Sequence, residues 1–184
     1  MPASLQSWTL PPTPRDVDEE RARRKENIRA VLKLFRVTLD AVRRHAEWTE
    51  SRYGIGAAPL WALWELAQTP GQRAADLARA MAVHRATAEE LLRELLARGL
   101  VERGDVEGGA ATHRLTAAGR RIAEDAGDNG QGVLKAALEH LPEAGLAALL
   151  DALRPMTERL PLRESAAAMH PVAHLLRPMR DGEC

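Results

Sequence analysis

Arg85, Glu89 and Arg93 follow one another at four-residue steps, with Ala86, Glu90 and Glu94 beside them. On a helix such positions share one face. Guanidinium groups on that face can hold phosphate oxygens or the edge of a guanine. A carboxylate can accept a hydrogen bond from cytosine N4 but is repelled by phosphate. The same spacing also suits simple pairing along a solvated helix, worth about 0.2–0.5 kcal/mol a pair. Both readings stand at this point. Thr87, at the start of the same stretch, can serve a phosphate or cap a local backbone group. Arg103, His113 and Arg114 flank a Gly108-Gly109 turn and could reach phosphates from the base of a hairpin.

Trp48, Trp61 and Trp64 form a second group, near Arg44 and Arg52. Flat indoles beside an arginine suit an aromatic carboxylate, whereas an ordinary packed aromatic cluster needs no ligand. His170 and His174 are four apart and Cys184 follows in a proline-interrupted tail. Three candidate ligands in such a tail are a weak zinc signal, so the histidines read as solvated and no metal is expected. The carboxylates of Asp181 and Glu183 argue against a reactive thiol at Cys184. No glycine-rich phosphate loop, metalloprotease helix or nucleophile with a placed base occurs, so neither catalysis nor a cofactor is expected.

The elements that must position these groups are mostly helical. The chain has 184 residues, and Phe35 and Tyr53 are its single phenylalanine and tyrosine, which disfavours a β-rich fold. Equal numbers of basic and acidic residues give no net charge to attract a polyanion, so any such contact must come from local patches. One cysteine excludes an internal disulfide and suits a reducing compartment. No apolar run suits a signal peptide or a membrane span, and the expected location is cytoplasmic.

Residues 1–15 read as an irregular arm carrying Trp8, and 16–56 as a long helix with an acidic first turn and two apolar rows. One row holds Ile28, Leu32, Phe35 and Leu39; Val31, Leu34 and Ala41 lie beside it. Apolar residues on two sides point to a helix sandwiched between its own domain and a second subunit. Residues 57–125 follow as a lobe. Helical stretches are expected at Ala58–Gln68, Ala75–Met81 and, after a tight link at Ala82-Val83, Arg85–Arg98 closed by Gly99. Leu77, Ala78 and Met81 face Ala88, Leu91, Leu92 and Leu95, which is helix-turn-helix spacing. Leu100–Arg103 and Thr112–Leu115 read as a two-stranded wing, and Thr116 as the cap of another helix. Residues 126–160 form a further helical region, and 161–184 a tail broken by Pro161, Pro171 and Pro178.

The segments LWALWELAQTPGQRAADLARAMAVHRATAEELLRELLARGLVER and HRLTAAGRRI, between a long first helix and a helical region near Leu141-Pro142-Glu143, resemble the MarR family of bacterial transcription regulators. The resemblance covers about residues 25 to 155. It implies a mostly α winged helix-turn-helix with a two-stranded wing. It also implies a homodimer whose terminal helices interlock, here through Ile28, Leu32, Phe35, Leu39, Leu146, Leu149, Leu150 and Leu153. Double-stranded DNA would be met by Arg85, Ala86, Thr87, Glu89, Glu90, Arg93, Arg103, His113 and Arg114. A small aromatic effector would sit near Arg44, Trp48, Arg52, Trp61 and Trp64.

The sequence departs from the family pattern where DNA would be read. Positions matching Glu89 and Glu90 usually carry small polar, amide or basic residues, and the arginine expected at the wing tip is absent from Asp105-Val106-Glu107-Gly108-Gly109-Ala110-Ala111. Residues 73 to 121 hold nine basic side chains against seven acidic ones, a small local excess. Two functions therefore remain open. One is a ligand-responsive, dimeric repressor on a pseudo-palindromic operator. The other is a winged-helix dimer with weakened DNA affinity that serves as a ligand-binding or protein-docking module.

Overall fold

The structure, a computed structural model, describes residues 14–107, 110–161 and 165–172. Trp8, the wing-tip glycines Gly108 and Gly109, His174 and Cys184 lie outside the described residues. The chain divides at Leu39 into two compact units. The first ends within helix α1, Pro14–Tyr53. Its described part is solvated by local pairs such as Arg15–Glu19 and Arg29–Glu26. Ile28, Leu32, Phe35 and Leu39 are exposed on it.

The second unit begins with the last turns of α1, which stop at Gly54. That residue takes φ +68° and donates its N–H to Glu50 O at 3.0 Å, the left-handed cap that glycine supplies without a Cβ clash. Helix α2, Ala57–Gln68, is the centre of the core: Leu60, Leu63 and Leu66 are almost wholly buried. They pack with Leu77 of α3 (Ala74–Ala80), with Leu91 and Leu95 of α4 (Arg85–Ala97), and with Ile55 and Met81. The link between α3 and α4 forces Ala82 to φ +52°, a conformation that costs a residue with a Cβ about 1–2 kcal/mol.

Helix α4 ends in a Schellman motif. Gly99 N–H donates to Leu96 O and Leu100 N–H to Leu95 O, each at 3.0 Å. The chain then enters β2, Val101–Glu107, which pairs antiparallel with β3, Ala110–Leu115. A register irregularity falls between Arg103 and Val106. The expected two-stranded wing is in fact part of a three-stranded sheet of order β1-β3-β2. The added strand is β1, Gln72–Arg73, paired with His113 and Thr112 and anchored by Gln72 Nε2 donating to Glu65 O at 3.0 Å. Two residues cannot show an alternating pattern, so this strand exists through its long-range pairing rather than through local sequence.

Thr116 caps α5, Ala117–Ala126, as its sequence position implies: its Oγ1 accepts from Gly119 N–H at 3.1 Å and donates to Gly99 O at 2.8 Å. A short turn at Gly127–Gln131 and helix α6, Val133–Glu139, follow. Helix α7, Glu143–Glu158, has no buried residue, although it carries Leu146, Leu149, Leu150 and Leu153. A 3-10 turn, Ser165–Met169, lies near the end of the described chain. No described helix is long and apolar enough to cross a membrane.

A Cβ added at Gly119 would lie 2.0 Å from the carbonyl oxygen of Leu100, a backbone atom that cannot turn away. Gly119→Ala is therefore expected to destabilise the protein by about 1–3 kcal/mol or more. A urea midpoint equal to that of the parent would show that α5 can shift away from β2 at no cost.

Candidate nucleic-acid interface

Helix α4 turns Leu91, Leu92 and Leu95 inward, which leaves Arg85, Ala86, Glu89, Glu90 and Arg93 exposed on its outer face. This face borders a groove shared with β1, α3 and the base of the wing. Arg73, Arg79, Arg85, Arg93 and Arg103 line it against Asp76 and Glu89, so five guanidinium groups meet two carboxylates. Most of the positive charge thus comes from elements other than α4.

Both carboxylates in the groove are engaged. Glu89 Oε1 accepts from Arg85 Nε at 2.7 Å, the four-residue pairing that the spacing allowed. Asp76 accepts from Arg73 at 3.1 Å and Arg79 at 3.3 Å, and the hydrogen bond from Arg73, chiefly, holds its carboxyl below the usual range. Arg93 and Arg103 form no ion pair among the described residues. Glu94 is occupied by Arg98 at 3.1 Å, away from the groove lining. Arg114 is exposed on β3 opposite Glu102.

Two residues expected at the interface are largely buried, although His113 still lines the groove. Thr87 is 6% exposed, because one step along the helix from Ala86 turns it onto the buried side of α4. His113 is 8% exposed, with Nδ1 buried and lacking a hydrogen-bond partner, since β3 is the central strand of the sheet rather than a free wing edge. Conversely, Arg73 and Arg79 escaped the sequence reading. Their signal was their position flanking the first helix of the helix-turn-helix, but the contribution of Arg73 depends on β1, which no local pattern announces.

The aromatic residues do not form one cluster. Trp48 is exposed, stacks on His45 at 5.7 Å and meets Tyr53 edge-on at 5.5 Å. Trp64 lies under the ammonium group of Lys135 at 5.1 Å and against Gly130. Trp61 donates to Glu65 at 2.8 Å and lines a cavity of about 450 Å³. Neither Arg44 nor Arg52 lines that cavity. Arg44 pairs with Asp40 at 2.7 Å, and Arg52 with Asp125 at 3.0 Å, where the Tyr53 hydroxyl also donates at 2.9 Å. Each of these guanidinium groups thus holds a carboxylate of its own chain, away from the lining of that cavity.

These elements define a winged helix-turn-helix. The MarR family model matches residues 53–110, which run from the end of α1 through both helices of the motif to the first residue of β3. The chain is similar to a MepR–DNA complex from S. aureus, with 22% identity, a TM-score of 0.50 and coverage of 68% of this chain and 92% of that one. It is also similar to a MarR mutant from E. coli complexed with operator DNA, at 20% identity and a TM-score of 0.49, covering 71% of this chain and 95% of that one. A MarR family protein from Mycobacterium tuberculosis shows 26% identity and a TM-score of 0.46, covering 68% and 91%. No curated protein matches the chain.

Burial holds the imidazoles of His45 and His113 below their ordinary pKa of 6.5. Below that value the unfolded chain takes up protons that these folded imidazoles refuse, so their contribution to stability is complete above 6.5 and is lost as pH falls toward their lower folded values. Urea denaturation between pH 7 and 5 should therefore show a smaller acid loss for His45→Gln than for the parent. An equal loss would remove His45 from the account.

Proposed function

We propose that the protein is a DNA-binding transcription regulator. It acts as a homodimer on a pseudo-palindromic operator, with α4 in the major groove, and represses until a small molecule releases it. The observation that carries this reading is the arginine-lined groove beside α4, within a segment whose sequence matches the MarR family. Phosphate contacts supply most non-specific affinity, and five arginines against two internally paired carboxylates leave charge for that purpose. The DNA-bound state of the S. aureus relative supports the same use of the fold. Self-association is supported by the absence of buried residues on α7 and by the exposed apolar row on α1, since large uncovered apolar faces mark interaction surfaces. A two-fold dimer would present two α4 helices to adjacent half-sites.

Fluorescence anisotropy with a duplex from the region upstream of the protein's own gene, a random duplex and a salt series tests the DNA reading. The expected result is selective binding whose affinity falls steeply with salt. Arg93→Ala and Arg103→Ala should each reduce the slope of log K against log salt by about one, because each removes one phosphate contact. Absence of binding to every duplex at low salt would overturn the regulator and favour the protein-docking alternative. Separately, Leu150→Asp should shift the sedimenting species from dimer to monomer; a wild-type protein that sediments as a monomer at micromolar concentration removes the dimer.

A further inference from the structure

Where α4 meets the base of the wing, the groove contains a recess of about 220 Å³, lined by Glu89, Arg93, Arg103 and His113 together with the apolar side chains of Leu92 and Leu96. A drug-sized molecule needs about 300 Å³ or more, so the recess suits a smaller group. Arg93 and Arg103 are exposed and form no ion pair among the described residues, whereas Glu89 is held by Arg85 at 2.7 Å. Two guanidinium groups on different elements, neither holding a carboxylate, offer forked donors of the kind that grip a tetrahedral oxyanion.

His113 is the buried member of this set. It pairs with Arg103 across β2 and β3, and its Nδ1 is sealed from solvent with no hydrogen-bond partner. Buried polar atoms rarely go unpaired, so this nitrogen lacks a partner that the chain itself does not supply. The charged groups sharing the groove with the ring are mostly positive. They are Arg73 on β1 and Arg103 on β2, Asp76 and Arg79 on α3, and Arg85, Glu89 and Arg93 on α4. Both carboxylates are already bonded to arginines. Burial first, and the charge of Arg103 with it, favour the uncharged ring, against a backbone hydrogen bond with Gln72 that favours the imidazolium. An anion in the recess would reverse the local field and supply the acceptor that a protonated Nδ1 requires.

We propose that this recess binds one tetrahedral oxyanion, a phosphate group of DNA or a free one, between Arg93 and Arg103, and that His113 takes up a proton when it does. With DNA as the source the inference rests on the regulator reading; the anion site itself does not. The proton comes from solvent and stays on Nδ1, and no covalent bond changes. The anion raises the midpoint of the ring. Between the free and the occupied midpoints, binding takes up a proton, so affinity rises as pH falls through that interval and levels off below it.

The test follows the carbon-bound ring proton of His113 by NMR in the full chain, in sodium sulfate and in sodium chloride of equal ionic strength. Sulfate and phosphodiesters do not titrate between about pH 5 and 8, where histidine ordinarily does. In chloride the midpoint should lie below the ordinary histidine value of 6.5. Sulfate should raise it by about one pH unit or more, and Arg93→Ala, a change at an exposed position, should remove most of that rise. An equal midpoint in the two salts, or an equal rise in Arg93→Ala, overturns the site. Duplex binding, read by anisotropy at constant salt, then identifies the source of the oxyanion. With a backbone phosphate as occupant, the affinity of the parent should gain about tenfold between pH 8 and 6, that of His113→Gln should stay level, and sulfate should compete more strongly than chloride. If sulfate moves the His113 midpoint while parent and His113→Gln show the same pH dependence on duplex, the occupant is a free oxyanion. If the protein binds no duplex, the regulator reading alone falls, because the sulfate titration still decides the recess.

Discussion

Leu100 is the point on which the geometry of the lobe depends. Its N–H closes α4 by bonding to Leu95, its side chain is buried in the core, and its carbonyl accepts from Thr116 N–H where β3 passes into α5. The same carbonyl is the surface against which Gly119 packs with no room for a side chain. One residue thereby joins the end of α4, the start of β2 and the first turn of α5. Buried carbonyls are ordinarily hydrogen-bonded, and this one takes its donor from Thr116, the N-cap of α5, at the end of the pairing between β2 and β3. The angle of the wing relative to α4 is fixed by backbone bonds rather than by side chains that could repack.

That rigidity matters because the charged groups of the interface are distributed over separate elements. Arg73 stands on β1, Arg79 on α3, Arg85 and Arg93 on α4, and Arg103 on β2. A set of cations gathered from four elements acts as one surface only when those elements hold a constant relation. The core of Leu60, Leu63, Leu77 and Leu95 supplies this for the helices, and the Leu100 junction supplies it for the sheet.

Much of this was legible in the sequence. The helices of the motif, the glycine after α4 and the threonine cap of α5 follow from residue types whose local conformations are restricted, and α1 to α4 fall within a few residues of their expected limits. What local sequence could not show was determined by distant partners. Strand β1 needs His113 and Thr112 to exist, and its presence converts β3 from a wing edge into a central strand that buries His113. The tryptophans are near one another in sequence, yet α2 directs Trp61 and Trp64 to different neighbours, while Arg44 and Arg52 find carboxylates at Asp40 and Asp125. Helix α6, which supplies Lys135 and Glu139 to the cavity, is only seven residues long and gave no separable periodic signal.

The pair formed by Arg85 and Glu89 gives this last point a thermodynamic form. Salt-dependent affinity for a polyanion arises when protein cations neutralise its charges and set free its condensed counterions. Arg85 instead carries a counterion tethered to the next turn of its own helix at 2.7 Å. If Arg85 turned to an anion, Glu89 would remain beside it, and its negative charge would offset part of the neutralisation that sets counterions free. The helix face is thus partly neutralised in advance. It would exchange one partner for another, and non-specific attraction of a polyanion to this face would be muted.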